Sequence, residues 1–350
     1  MIPVFDGHND ILWRIGNAPE RREAIWLSGE GKGHIDLPRL RRGGFAGGFF
    51  AIFVDSPEAG DLAALDARMD QPPYDFPLPD PIGFGEALPV AMAAAGHLRW
   101  MERQGGLRIV RTAAGIRACM AEGTVAAVMH MEGAEAIDPG LDALYVWHAA
   151  GLRSLGPVWS RPTAFGHGVP FAFPSTGDTG EGLTEAGRRL IRECNALGIL
   201  IDLSHLNAKG FDDVARLSQA PLVATHSNAH AVCPTSRNLT DRQLAAIRES
   251  GGMVGLNFAT CFLNPDGRRT PARGLDPLLR HLDHLVSRLG EDHVGLGSDF
   301  DGATIPEEIG DAAGLQRLLA AIAAHGFGRD LVERIAWRNW LALLERTWGA

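Results

Sequence analysis

The sequence lacks the features of a membrane-spanning or secreted chain. No apolar stretch approaches the ~20 residues that a helix needs to cross a bilayer. The first ten residues, MIPVFDGHND, have neither the basic segment nor the apolar core of a secretory signal. We therefore predict a cytoplasmic protein with no membrane span.

Clustered positive charge is also missing. Lysine occurs only at Lys32 and Lys209, and the 33 Lys and Arg residues are outnumbered by 42 Asp and Glu, for a net charge of −9. Binding to phosphate backbones requires grouped cations, and the chain has no run rich in Lys or Arg. This composition argues against a nucleic-acid partner.

Cysteine is scarce and shows no metal-binding or redox spacing. The four cysteines include no C-x-x-C pair, and they are Cys119, Cys194, Cys233 and Cys261. A chain of 350 residues buries enough apolar surface to fold without disulfides. We interpret these residues as reduced, structural thiols.

The chain does contain eight short apolar or β-branched runs, most of them followed by a helical pattern. The predicted strands are Ile2–Phe5, Phe45–Val54, Thr124–Met131, Leu152–Val158, Gly198–Leu203, Pro221–Thr225, Met253–Phe258 and His293–Gly297. This alternation predicts an α/β protein with a TIM-type (β/α)8 barrel, formed as a single domain over residues 1–350. A doubly wound open sheet is the alternative, but it calls for a glycine-rich turn after the first strand, where this chain has His-Asn-Asp.

Helical patterns and two long loops fill the intervals. The predicted helices are Gly85–Gln104, Thr184–Leu197, Leu239–Ser250, Leu278–Leu289, Ala312–Ala324 and Arg329–Thr347. The loops Asp55–Phe84 and Trp159–Gly182 each follow a predicted strand. Loops at that end of a barrel surround its active site, so we expect these two to form the mouth of the site.

Side chains that bind metals end five of the predicted strands. They are His8 and Asp10, Glu132, His205, His226, and Asp299. Barrel active sites form at this end of the strands, so we expect these side chains to converge. Three clustered carboxylates cannot all ionise without cations. Two divalent ions would balance them together with one hydroxide, and imidazole with carboxylate suits zinc while tolerating cobalt or manganese.

The other histidines receive a structural interpretation. His130 shares a face with Glu132 and is predicted to lie one layer deeper, in the core or behind the ligands. Seven others are predicted to lie away from the site, and they are His34, His97, His148, His281, His284, His293 and His325.

Six motifs occur in an order that resembles the renal (membrane) dipeptidase family, peptidase family M19. They are Asp6–Asp10, Glu132–Gly133, Asp202–His205, His226–Asn228, Ser236–Asn238 and Gly297–Gly302. The resemblance implies an amidohydrolase-type barrel that forms a homodimer and holds two zinc ions per subunit. It also implies a zinc-dependent dipeptidase, in which a hydroxide bridging the two metals attacks the peptide bond of a short peptide.

The same resemblance assigns roles to individual residues. It places His8 and Asp10 on the first zinc, His205 and His226 on the second, and Glu132 as the bridge between them. Asp299 would lie at the first zinc and carry a proton from the attacking water to the leaving amine. Arg237 would bind the substrate carboxylate, a role that suits the planar fork of a guanidinium.

One position departs from the family pattern. Trp159 stands where the better-known members have a histidine that contacts the substrate, and an indole offers one N–H and no charge. We therefore include Trp159 in the predicted substrate site. His167, in the glycine-rich loop that follows, is the candidate to replace the missing histidine.

Two alternatives to a dipeptidase follow from the same residues. The first is an amidohydrolase-type enzyme acting on another small amide, lactone or ester. Many such enzymes bridge their metals with a carboxylated lysine after the fourth strand, and neither Lys32 nor Lys209 falls there. The second is a barrel that binds metal without catalysis, against which Asp299 and Arg237 argue, because neither is needed merely to hold zinc.

Overall fold

The computed structural model describes residues 1–56, 67–271 and 273–348, and within them eight parallel strands form a nearly closed barrel. The strands are β1 (Val4–Asn9), β2 (Phe45–Phe53), β3 (Val125–Glu132), β4 (Leu152–Gly156), β5 (Leu200–Ile201), β6 (Val223–Ser227), β7 (Met253–Asn257) and β8 (Val294–Gly297). Their neighbour order is β5-β4-β3-β2-β1-β8-β7-β6. A parallel bridge between Asp202 and Val223 joins β5 to β6. The predicted (β/α)8 barrel is confirmed.

Helices cover the outside of the barrel. They are α1 (Ile11–Gly16), α2 (Leu37–Gly43), α3 (Phe84–Gln104), α4 (Ala113–Glu122), α5 (Asp142–Ala150), α6 (Glu185–Leu197), α7 (Ala208–Leu217), α8 (Asp241–Glu249), α9 (Thr260–Leu263), α10 (Asp276–Leu289), α11 (Leu315–Ala324), α12 (Arg329–Glu333) and α13 (Asn339–Trp348). Local sequence explains their ends: Thr184 accepts a hydrogen bond from the Gly187 N–H at the start of α6, and Gly198 follows its end with φ of +65°. None of the described helices is long and apolar enough to cross a membrane.

Several predicted boundaries were wrong. The first strand was predicted at Ile2–Phe5 but runs over Val4–Asn9, because its pairing with β2 continues as far as Asn9. A short strand, Leu107–Ile109, pairs with β3 and was missed, since three residues carry too little periodicity to detect. The last predicted helix is interrupted by a π-helical segment at Arg334–Arg338.

Trp340 from α13 fills the amino end of the barrel interior. Its indole Nε1 donates a hydrogen bond to the Leu296 carbonyl at 2.9 Å, and its ring contacts Phe5 and Phe49. A Cβ on Gly295 would lie 2.5 Å from that nitrogen, so glycine is required there. Because this end is packed solid, a site can open only at the carboxyl end of the strands.

The two long loops meet above that carboxyl end. Tyr74–Asp75 from the first loop pairs antiparallel with Ala172–Phe173 from the second. Residues 57–66 of the first predicted loop lie outside the described residues. The four cysteines are free and buried, as predicted for structural thiols.

Candidate metal centre

Glu132, the last residue of β3, lies at the centre of the predicted ligands. Its Oε1 lies 3.0 Å from His205 Nε2, 3.4 Å from His226 Nε2 and 3.6 Å from His8 Nε2. His8 belongs to β1 and His226 to β6, while His205 follows β5. All four side chains are almost completely buried.

Two further carboxylates complete the cluster on the His8 side. His8 Nε2 lies 3.2 Å from Asp10 Oδ2, and the ligand atoms of His8, Asp10 and Asp299 lie within 4.8 Å of one another. A Cβ on Gly302 would lie 2.2 Å from Asp10 Oδ2 and 2.6 Å from Asp299 Oδ1, so only glycine leaves room for both carboxylates. The structure therefore brings all six predicted ligands into one cluster.

The facing atoms of this cluster are mostly hydrogen-bond acceptors. His205 Nε2 and His226 Nε2 are 3.1 Å apart while both face the Glu132 carboxylate, and neither ring nitrogen of the buried His8 has a hydrogen-bond partner in the described part of the chain. Lone pairs held this close in a buried site repel one another unless a proton or a cation lies between them. Imidazole and carboxylate donors without thiolate fit zinc and related divalent ions.

Burial and charge shift the pKa values of the ligands strongly. Burial lowers the pKa of His205 and of His226 well below the usual value, so both are neutral and able to bind a metal. Burial, with Asp10 and Asp299 adding to it, raises the pKa of Glu132 well above its usual range. For His8, burial lowers the pKa, but the charges of Glu132 and Asp10 outweigh it and hold the pKa well above the usual value. Without a metal the cluster therefore retains protons that divalent cations would displace.

A hydrogen-bond chain orients His226. The Thr225 hydroxyl donates to Asp202 Oδ2 at 2.6 Å and lies 2.9 Å from His226 Nδ1. Since the hydroxyl proton is directed to the carboxylate, Nδ1 must carry the imidazole proton and donate to Thr225. His226 Nε2 is then left with a lone pair that points at Glu132, which is the tautomer a metal ligand needs.

This chain gives a prediction about Thr225. We expect Thr225→Val to weaken zinc binding by about 10- to 100-fold, because an isosteric methyl cannot accept the Nδ1–H bond or contact Asp202 favourably. Thr225→Ser keeps the hydroxyl and is expected to retain wild-type affinity. Competition with a chromogenic chelator measures both variants. Equal affinities for the valine variant and the wild type would contradict the proposed tautomer control.

Asp299 has a support that sequence reasoning missed. Asn257, the last residue of β7, donates from Nδ2 to Asp299 Oδ2 at 2.9 Å. A polar residue at the end of an otherwise apolar strand was the available signal.

His34 was predicted to lie away from the site, but its Nδ1 accepts the N–H of Asp301 at 2.9 Å, in the same loop as Asp299. The predicted inner histidine, His130, is buried with its ring centroid 5.6 Å from that of His8.

Arg237 lies buried beside the cluster. Its Nη1 donates to the Ser204 carbonyl, and its Nη2 lies 3.2 Å from His205 Nε2. Burial lowers its pKa, and among the described residues no carboxylate forms an ion pair with it, while its Nε has no hydrogen-bond partner. The charges of Asp299, Glu132 and Asp202 act on it from a distance, and a buried guanidinium that no carboxylate contacts directly is suited to binding an anion.

The two remaining predicted residues differ in position. The Trp159 ring lies next to the cluster, with its centroid 5.8 Å from that of His205. The side chain of His167 lies against Gly180, and its carbonyl accepts the N–H of Asn207. Within the described ranges, no contact joins the His167 imidazole to a predicted ligand.

The strand ends of this TIM barrel bring three imidazoles and three carboxylates into one cluster that could bind cations. This arrangement is typical of a metal-dependent hydrolase. The sequence model of the membrane dipeptidase family (peptidase family M19) matches residues 1–348, and the chain belongs to this family. The predicted family and enzyme class are confirmed.

Two solved structures and one further relative are similar to this chain. A metallopeptidase from Rhodobacter sphaeroides, liganded with a phosphinate mimic of the dipeptide L-Ala-D-Ala, is 66% identical, with a TM-score of 0.98 over 99% of each chain. Dipeptidase AC, a metallopeptidase of family M19, is also 66% identical, with a TM-score of 0.97 over 100% of this chain and 99% of its own. A Klebsiella pneumoniae relative, described as an uncharacterized protein in the pqqA 5′ region, is 50% identical over 70% of this chain and 90% of its own length.

Proposed function

We propose that the protein hydrolyses dipeptides with two zinc ions held by the six clustered ligands. The observation that carries this proposal is the position of Arg237, whose guanidinium forms no ion pair with a described carboxylate and lies 3.2 Å from a ligand imidazole. A substrate that fits must place a carboxylate carbon within about three bonds of the carbonyl carbon at the metals. The carboxyl-terminal residue of a dipeptide has this geometry.

The residues divide the chemistry between binding and proton transfer. When bound, the metal ions would polarise the peptide carbonyl and lower the pKa of a water molecule. Asp299, held by Asn257, accepts a proton from the attacking water and delivers it to the leaving amine. Burial and the charge of Asp10 raise the pKa of Asp299, which favours its acting as an acid in the second step. Arg237 anchors the terminal carboxylate and thereby aligns the peptide bond.

Three finer features belong to the same proposal. The number of zinc ions, two per subunit, is supported by two groups of three possible ligands, His8 with Glu132 and His226, and His8 with Asp10 and Asp299. Homodimerisation and a cytoplasmic location stay predictions, the first from the family resemblance and the second from the sequence.

The proposal predicts a substrate-dependent defect for Arg237→Ala. The free carboxylate loses a charged hydrogen bond, so KM for dipeptides should rise by roughly 10- to 100-fold. The same dipeptides with amidated carboxyl ends lack the anion, and their kcat/KM should change little. The assay compares a dipeptide panel with its amides, before and after treatment with a zinc chelator. Equal losses on both sets would assign Arg237 a structural role, and absence of turnover by the metal-loaded wild type would refute the dipeptidase itself.

A further inference from the structure

Three aromatic side chains form a wall beside the ligand cluster, and we name Trp159, Phe171 and Phe262 the aromatic wall. The Trp159 and Phe171 ring centroids are 5.7 Å apart at a steep angle. Phe171 then stacks on Phe262 at 6.1 Å, with an interplanar angle of 16°. At these separations the rings touch, so the wall is continuous.

The wall joins the metal ligands to the carboxylate-binding arginine. At one end Trp159 lies against His205, with ring centroids 5.8 Å apart. At the other end the Arg237 guanidinium carbon lies 5.2 Å from the centre of the Phe262 ring. Arg237 in turn reaches His205, which closes a circuit of contacts. Trp159 and Phe171 are partly exposed, so the wall presents apolar surface at the mouth of the site.

Two further side chains pack against Trp159. Phe53, at the end of β2, packs on it with ring centroids 5.0 Å apart, and the Arg161 guanidinium carbon lies 5.6 Å from its ring centre. Arg161 is itself fully buried and ion-paired with Glu135 at 2.7 Å. A ring packed against Phe53 and against an ion-paired arginine moves aside only at a cost, so the Trp159 end of the wall is held in place.

We propose that the aromatic wall limits the size of the side chain on the carboxyl-terminal residue of the substrate, accepting a hydrogen or a methyl group and excluding longer side chains. This inference rests on the proposed dipeptidase function. With the carboxylate at Arg237 and the scissile carbonyl at the ligand cluster, the carboxyl-terminal α-carbon lies between them. The wall contacts His205 through Trp159 and Arg237 through Phe262, so a side chain that extends from this α-carbon toward the wall meets its rings.

Removing one ring should open this boundary. We expect Phe171→Ala to raise the ratio of kcat/KM for Ala-Leu over kcat/KM for Ala-Ala by at least about tenfold, since one or two methylenes in a fitted pocket change transition-state binding by that amount. Both L- and D-configured carboxyl-terminal residues are assayed, with Ala-Gly as a reference that makes no side-chain contact. Zinc content is measured for every variant, so that a lost metal is not mistaken for altered specificity.

Phe173→Ala is the matched control. Phe173 lies on the same loop, and its ring packs with Tyr74 at 6.0 Å, in a cluster that Phe171 also contacts but that contains neither Trp159 nor Phe262. We expect its Ala-Leu to Ala-Ala ratio to stay within about twofold of the wild type. Three results would each contradict the proposed size limit. They are an unchanged ratio in Phe171→Ala, an equal rise of the ratio in Phe173→Ala, and a wild type that cleaves Ala-Leu with the same kcat/KM as Ala-Ala. A wild type that cleaves no dipeptide would instead overturn the proposed function.

Discussion

Replacing Asp299 with asparagine lowers kcat for dipeptides by about 10³-fold, because the amide can neither accept the proton of the attacking water nor deliver it to the leaving amine. The expected defect falls on kcat, since Arg237 still binds the carboxylate. The amide oxygen can still accept the Asn257 bond, and the left-handed backbone at position 299, with φ of +59°, tolerates asparagine. The measurement is kcat at saturating zinc, accompanied by zinc content and Tm.

Asp301→Asn is the control for this variant. Asp301 lies in the same loop and also has a positive φ, of +69°, but its carboxylate pairs with Arg14 at 3.2 Å rather than with the ligand cluster. We expect a lower Tm and a loss in kcat of less than about tenfold. A near-normal kcat in Asp299→Asn, at wild-type zinc content, would remove the proton-transfer role.

Replacing Glu132 with glutamine is expected to abolish the two-metal site. The substitution removes a carboxylate that lies within 3.6 Å of three ligand imidazoles. We expect zinc content to fall to one ion per chain or fewer, with kcat/KM lower by about 10³-fold or more, because metal ions supply several kcal/mol of transition-state stabilisation. Elemental analysis and dipeptide kinetics measure the two effects, and two bound ions in the variant would contradict the bridging position.

The stability of the metal-free protein separates a lost ligand from a damaged fold. Because burial raises the pKa of Glu132 above its unfolded value, its contribution to folding is present at low pH and is lost as pH rises through the folded pKa. At pH 7 to 8 the metal-free wild type has therefore lost this stabilisation, because keeping a buried carboxylate charged lowers its free energy of unfolding. Metal-free Glu132→Gln has no charge at this position and does not lose stability in this way. We expect the variant to have at least the Tm of the chelator-treated wild type. Glu135→Gln, which breaks the buried pair with Arg161, should instead lower Tm and keep the metals.

Much of the ligand set could be predicted from local patterns because a parallel barrel leaves little freedom in where strand ends lie. Once eight apolar runs alternate with helices, their carboxyl ends meet at one edge, and His8, Glu132 and His226 must converge there. Even the error in β1 left His8 at this edge, since extending a strand does not change the face on which alternate residues lie.

Tertiary structure alone decided how these ligands are oriented and what surrounds them. The proton on His226 Nδ1 follows from a hydroxyl of β6 meeting Asp202 at the end of β5, through contacts of 2.6 and 2.9 Å. The aromatic wall forms because Phe171, on a loop, stacks on Phe262, which belongs to α9. Alternation of apolar residues encodes which face of a strand is buried, but it carries no information about hydrogen-bond direction or loop packing. The chain by itself therefore determined the barrel and the candidate metal ligands that cluster at its edge, whereas the folded arrangement determined the hydrogen bonds of these ligands and the side chains packed around them.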